Sequence, residues 1–163
     1  MPLEGLQGLG TPADVGSGGP TEEGEHVDNG SMQETRPMRI LVVDDEPDIR
    51  TMLEVVLAAE GWSVEQAASG AEGLDAFRSA RPDIVVLDHR MPGLTGWDVA
   101  CQLIEEGCEA PLVLFSAYLD ADLRTRSEAL GLTAVDKLDW HGLVETCRRF
   151  DRVRLQAQAP VGS

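Results

Sequence analysis

Residues 83–93 read Asp-Ile-Val-Val-Leu-Asp-His-Arg-Met-Pro-Gly. Four consecutive apolar residues, three of them β-branched, make a run too short for a helix and apolar on both faces. Such a run fits a strand buried between two helical layers, as in a parallel sheet. It stops at Asp88, and Pro92-Gly93 then turns the chain.

Similar runs lie on either side. Ile40-Leu41-Val42-Val43 precedes it and ends in Asp44-Asp45; Leu112-Val113-Leu114-Phe115 follows it and ends in Ser116. A weaker run, Trp62-Ser63-Val64, stands between the first two, and Thr133-Ala134-Val135 comes last, closed by Asp136-Lys137. The stretches between them carry helical periodicity. Ile49, Met52, Leu53, Val56 and Leu57 form one apolar stripe opened by Pro47. Ser69 with Glu72 gives a capping-box signature ahead of Leu74 and Phe77. Trp97, Ala100, Leu103 and Ile104 form a third stripe, and Trp140, Leu143, Val144 and Cys147 a last one. Asp120–Leu130 is the weakest, with only Leu123 and Leu130 as large apolar anchors. Five βα units predict an α/β fold with an open doubly wound, five-stranded parallel sheet, about 115 residues around one core.

In open parallel sheets the binding crevice lies outside the carboxyl ends of the strands, where the strand order reverses. Asp44-Asp45, Asp88, Ser116 and Lys137 all stand at such ends. One aspartate there commonly caps the next helix, but four polar clusters at four ends converge. Three carboxylates about 4 Å apart repel by about 4 kcal/mol per pair at an effective dielectric near 20, and so call for a cation. Hard oxygens with no His or Cys in the set suit Mg²⁺, or Mn²⁺. A metal beside one carboxylate makes that group a phosphoryl acceptor, with an ammonium and a hydroxyl to balance charge in flight. Lys137 has the chemistry for the first role and Ser116 for the second. Of 13 Lys plus Arg, Lys137 is the single lysine. A chain that otherwise uses Arg places its one compact point charge at this strand end.

Bulk properties narrow the class. A net charge of −16 argues against direct nucleic-acid binding, which rests on clustered Lys and Arg. No apolar run approaches the roughly 20 residues that span a bilayer; membrane insertion is not expected, and a cytoplasmic location is. Cys101, Cys108 and Cys147 lack zinc-type spacing and read as buried thiols. Residues 1–37 hold eight Gly and four Pro, with seven acids against one base. That composition predicts a disordered acidic tail, followed by one domain over 38–155 and a flexible end over 156–163.

These residues resemble the receiver domain of two-component response regulators. The likeness covers about residues 38–153 and is carried by 40–47, 83–93, Phe115-Ser116-Ala117 and Lys137, in that order. It implies a flavodoxin-like (βα)5 fold and phosphorylation of Asp88 by a sensor histidine kinase or histidine phosphotransfer protein. It implies metal binding by Asp45 and Asp88 directly, by Asp44 through water, and by the backbone carbonyl of Arg90. Ser116 would bind the phosphoryl group, Lys137 would pair with it, and small Ala117 would keep the approach open. Arg90 and Tyr118, each two residues past a site residue, would tune the lifetime of the phosphoaspartate. Such a protein catalyses only its own phosphorylation and dephosphorylation. It is expected here as a single-domain regulator that signals by contact with a downstream protein not identified by the sequence; a homodimer stays open.

Two positions depart from the family pattern. Ala134 stands where receivers commonly carry an aromatic residue, and Leu138 replaces the proline that usually follows the lysine. Both concern readout rather than phosphate chemistry, and they keep alive a receiver-like module regulated by binding alone. A small-molecule phosphatase or phosphotransferase with an aspartate nucleophile usually carries a second Asp two positions on; Arg90 stands there instead.

Overall fold

The structure is a computed structural model that describes residues 35–162; the expectation of a disordered tail falls almost wholly outside them. Five strands alternate with five helices: β1 (Arg39–Val43), α1 (Pro47–Ala58), β2 (Ser63–Ala67), α2 (Gly70–Ala80), β3 (Ile84–Asp88), α3 (Gly96–Glu105), β4 (Leu112–Ser116), α4 (Ala121–Ala129), β5 (Thr133–Asp136) and α5 (Trp140–Gln158). All pairings are parallel, in the order β2-β1-β3-β4-β5. The expected doubly wound, flavodoxin-like sheet is what the chain forms. The order reverses between β1 and β3, so the crevice opens between Asp44-Asp45 and Asp88.

Strand alternation divides the core. Ile40, Val42, Ile84, Val86, Val113 and Phe115 pack with Leu53, Leu57, Leu143 and Cys147 under α1 and α5. Leu41, Val43, Val85, Leu87 and Leu114 pack with Leu74, Val99, Leu103 and Leu123 under α2, α3 and α4. Every residue of β3 and β4 is buried, which is why these two strands read as unbroken apolar runs. The edge strand β2 is mostly exposed and continues through Glu65-Gln66 to Ala67, beyond the three residues its apolar content suggested. Cys147 is fully buried; Cys101 and Cys108 are only partly so, so the buried-thiol expectation holds for one cysteine of three.

Helix ends follow local chemistry. Ser69 Oγ accepts the Glu72 N–H at 3.2 Å, while Glu72 reaches back to the Ala68 N–H at 2.9 Å. Thr95 and Asp98 make a full reciprocal capping box at α3. The helix α4 forms despite its poor apolar content, capped by Asp120, whose carboxylate accepts the Leu123 N–H at 2.7 Å. Its buried residues are Leu123 and Ser127, and the Ser127 hydroxyl donates back to the Leu123 carbonyl at 2.7 Å. The last helix runs to Gln158, past Gln156, where a frayed end was expected. At the other boundary Arg36 belongs with the folded body. Its guanidinium forks onto Asp83 at 2.7 and 2.8 Å, and the Arg39 N–H adds a third bond at 2.8 Å. Burial raises the Asp83 carboxyl, but these donors outweigh it and hold its pKa below the ordinary value.

One glycine fixes the approach of α3 to the site. A side chain on Gly96 would run into the carbonyl oxygen of Asp88, and the Gly96 N–H already donates to the His89 carbonyl at 3.1 Å. Gly96→Ala therefore has to push the end of β3 or the start of α3 aside. We expect a loss of about 1–3 kcal/mol, as for other overpacked sites, measured by urea unfolding; unchanged stability would show that this contact yields freely.

Candidate functional site

At the carboxyl ends of β1 and β3, Asp44 and Asp88 are buried, with 1% and 5% of their surface exposed, and Ser116 at the end of β4 is buried as well. Carboxylate oxygens of Asp44, Asp45 and Asp88 lie within 4.8 Å of one another, with Asp45 the more open to solvent. Lys137, carried over the cluster from the end of β5, is itself largely buried. Its Nζ stands 2.8 Å from Asp44 Oδ2, 3.2 Å from Asp88 Oδ1 and 3.6 Å from Glu46 Oε1. The closest of these is a short ion pair that takes up Asp44 Oδ2. The other oxygen, Oδ1, accepts the Glu46 N–H at 2.9 Å.

The electrostatics follow from this arrangement. Burial, reinforced by the charge on Asp44, pushes the Asp88 pKa up to about 6, while Lys137 and the Arg90 N–H pull against the rise. Burial acts against the Lys137 ammonium too, but Asp44 and Asp88 outweigh it and hold its pKa above the ordinary value. One ammonium thus serves two buried carboxylates, and a third carboxylate adjoins them.

The flanking loops supply the remaining residues. The Lys137 N–H donates to the Ser116 carbonyl at 3.0 Å, tying the ends of β4 and β5 together. Ser116 Oγ accepts the Tyr118 N–H at 3.1 Å. Ala117 and Tyr118 are exposed on the loop after β4, and the Arg90 N–H lies 3.4 Å from Asp88 Oδ1. The Arg90 guanidinium sits 3.8 Å from the centre of the Tyr118 ring. The two residues singled out for lifetime therefore meet each other, joining the loops after β3 and β4 by a cation–π contact. The Lys137–Leu138 bond is trans, and Leu138 is exposed.

Two residues escaped the sequence reading. Glu46 directly follows the aspartate pair and completes the carboxylate surroundings of Lys137. Arg50, in α1, donates from Nη1 to the Asp44 carbonyl at 2.6 Å; in the sequence it looks like any other arginine on a helix face.

The response regulator receiver domain model matches residues 40–139. The chain belongs to this family. Among curated relatives, the DNA-binding response regulator MtrA of Mycolicibacterium smegmatis is 40% identical over 87 residues, covering 53% of this chain and 38% of MtrA. The response regulator MprA of Mycolicibacterium vanbaalenii is 47% identical over 81 residues, covering 50% and 35%. The matched stretch thus spans less than two-fifths of these relatives. Among solved structures, the Thermotoga maritima response regulator TrrA in complex with Mg²⁺-BeF is 36% identical, with TM-score 0.64, over 69% of this chain and 98% of TrrA. Vibrio cholerae CheY4 is 27% identical, with TM-score 0.64, over 70% and 98%. Receivers hold Mg²⁺ in an acidic pocket, and this receiver's own residues fit such an ion: three converging carboxylates, hard oxygen donors with no His or Cys among them.

Lys137 offers a direct test of the electrostatics. Between the ordinary aspartate value and about 6, folded Asp88 retains a proton that the unfolded chain has released, so its contribution to stability falls as pH rises through that window. Without Lys137 the ionised pair stands uncompensated. We expect Lys137→Met to cost the metal-free protein about 3 kcal/mol at pH 7.5, and less at pH 5, where Asp88 takes up a proton. Equal losses at both pH values would contradict this.

Proposed function

We propose that this receiver accepts a phosphoryl group on Asp88 from a sensor histidine kinase or a histidine phosphotransfer protein, with Mg²⁺ or Mn²⁺ required, and signals in the cytoplasm through contact with a downstream protein. The observation that carries this reading is the buried Asp88 carboxylate flanked by two further carboxylates and by Lys137. Such an arrangement is costly for a fold to keep and has a use when a doubly charged group must be received there.

In this reading an Asp88 oxygen attacks phosphorus, the phosphorus–nitrogen bond to the donor histidine breaks, and an acyl phosphate forms. Asp45 and Asp88 would hold the metal directly, Asp44 through water, and Arg90 through its backbone carbonyl. The ion, when bound, would neutralise charge on the transferring oxygens. Lys137 already touches Asp88 Oδ1 and would move its contact to a phosphoryl oxygen as the carboxylate becomes an acyl phosphate and the charge passes to the phosphoryl group. The Ser116 hydroxyl would donate to a second oxygen while still accepting the Tyr118 N–H, since a hydroxyl has one donor and two acceptor sites. Ala117 leaves the approach uncrowded.

No helix among the described residues is long and apolar enough to cross a membrane. The strong negative charge gives these residues no basis for holding a nucleic-acid backbone directly. The DNA-binding function named for MtrA therefore supplies no argument for this segment.

Incubation with Mg²⁺ and a small acyl-phosphate donor, read by intact mass, should give one phosphoryl adduct on the native chain, none on Asp88→Asn and none in EDTA. An unmodified native chain would instead favour a module regulated by binding alone. The Arg90–Tyr118 contact adds a second expectation. It shields the approach of water, so Tyr118→Ala should speed loss of the phosphoryl group several-fold, followed by mass after removal of the donor; an unchanged rate would remove the shielding role.

A further inference from the structure

The turn between β1 and α1 carries two of the three carboxylates, so the way this turn is held decides whether they can face one ion. Asp44 is held at four points. Its N–H donates to the Ala67 carbonyl at 3.1 Å. Its Oδ1 accepts the Glu46 N–H at 2.9 Å, its Oδ2 faces Lys137 Nζ at 2.8 Å, and its carbonyl accepts Arg50 Nη1 at 2.6 Å. The first two come from sheet and turn backbone, and the third belongs to the charge cluster. The fourth comes from a half-buried side chain in α1, one turn into the helix.

That fourth bond acts at a particular place. The carbonyl of Asp44 is part of the planar peptide unit that joins Asp44 to Asp45. A hold on that oxygen fixes the plane from which the Asp45 side chain departs, and no side-chain hydrogen bond among the described residues fixes Asp45 itself. The acceptor is a neutral carbonyl, so the guanidinium steadies the carboxylates without occupying any of their oxygens. Lys137 does the opposite, taking up Asp44 Oδ2 and Asp88 Oδ1. The bond is short and charge-assisted, the stronger kind.

We infer that Arg50 is a positioning residue for the metal site: its bond to the Asp44 carbonyl sets the direction of Asp45 and so the fit of the three carboxylates around a divalent cation. The inference rests on the metal-dependent reading proposed above. Groups that orient ligands without touching the ion typically change affinity by on the order of 10–100-fold when removed.

The test is a Mn²⁺ titration of the full chain, following the electron paramagnetic resonance signal of the free ion, with thermal unfolding in EDTA run in parallel. Arg50→Ala should weaken Mn²⁺ binding about ten-fold. Arg50→Lys, which keeps a charged donor of similar reach, should recover a large part of the loss. Should the alanine variant fail to fold, Arg50→Met keeps the apolar stem, loses the donor and carries the same expectation. If wild-type and Arg50→Ala chains bind equally, the inference is wrong, even if the variant melts earlier, because that pattern marks a purely structural contact. If the wild-type chain takes up no Mn²⁺, the metal-dependent reading itself fails and this inference falls with it.

Discussion

At the end of this sheet three carboxylates crowd together, two of them shut away from water, with one ammonium between those two. At separations near 4 Å each uncompensated pair repels by about 4 kcal/mol at an effective dielectric near 20. The strands leave the charges no route of escape. Asp44 and Asp88 end strands that pair side by side in the middle of the sheet, and the helices on both faces close off any sideways movement. The site is held under electrostatic tension by packing, and Lys137 is what makes that tension tolerable without a metal.

The surrounding fold can be understood as the means of holding this position. Alternate residues of the strands enter two separate apolar layers, so the sheet is gripped from both sides. Gly96 lets α3 come down against the end of β3. At the opposite end of the sheet, the fork of Arg36 on Asp83 ties the approach to β1 to the residue just before β3. β1 and β3 are thereby tied to each other at the end far from the site.

How much of this could be read from the sequence depended on whether a feature was local. The runs at β1, β3 and β4 were legible because burial on both faces demands apolar residues at every position. The edge strand β2 was truncated in the reading because exposed Glu65 and Gln66 carry no such demand; their pairing with Leu41 and Val42 is what makes them strand. The end of α5 was misplaced for a similar reason: its final residues are exposed, and backbone bonding alone continues them to Gln158. Among site residues, the strand-end aspartates, Ser116 and Lys137 were visible because topology puts all strand ends in one place. Arg50 was not, since it is defined by a partner reached through space, a backbone carbonyl across a turn; outside the site Arg36 was hidden in the same way, its partner Asp83 lying 47 residues away. The meeting of Arg90 with Tyr118 was half visible, each being placed near the acceptor but not against the other.

The complete burial of β3 has a mechanical consequence. A strand bonded on both edges and packed on both faces is stiff, and its neighbour β4 is equally enclosed. When stiff and compliant parts are joined in series, displacement collects in the compliant ones. The compliant parts beside them are the loops after β3 and β4 and the helix α4, whose buried residues are Leu123 and Ser127 and whose further holds are the Arg126 guanidinium 4.6 Å from the Trp97 ring and a 3.4 Å bond from Arg124 Nη1 to the Ala134 carbonyl. The rigidity of β3 and β4 thus gives the domain a direction in which it yields, away from its core and toward its loops and a helix that buries little apolar surface.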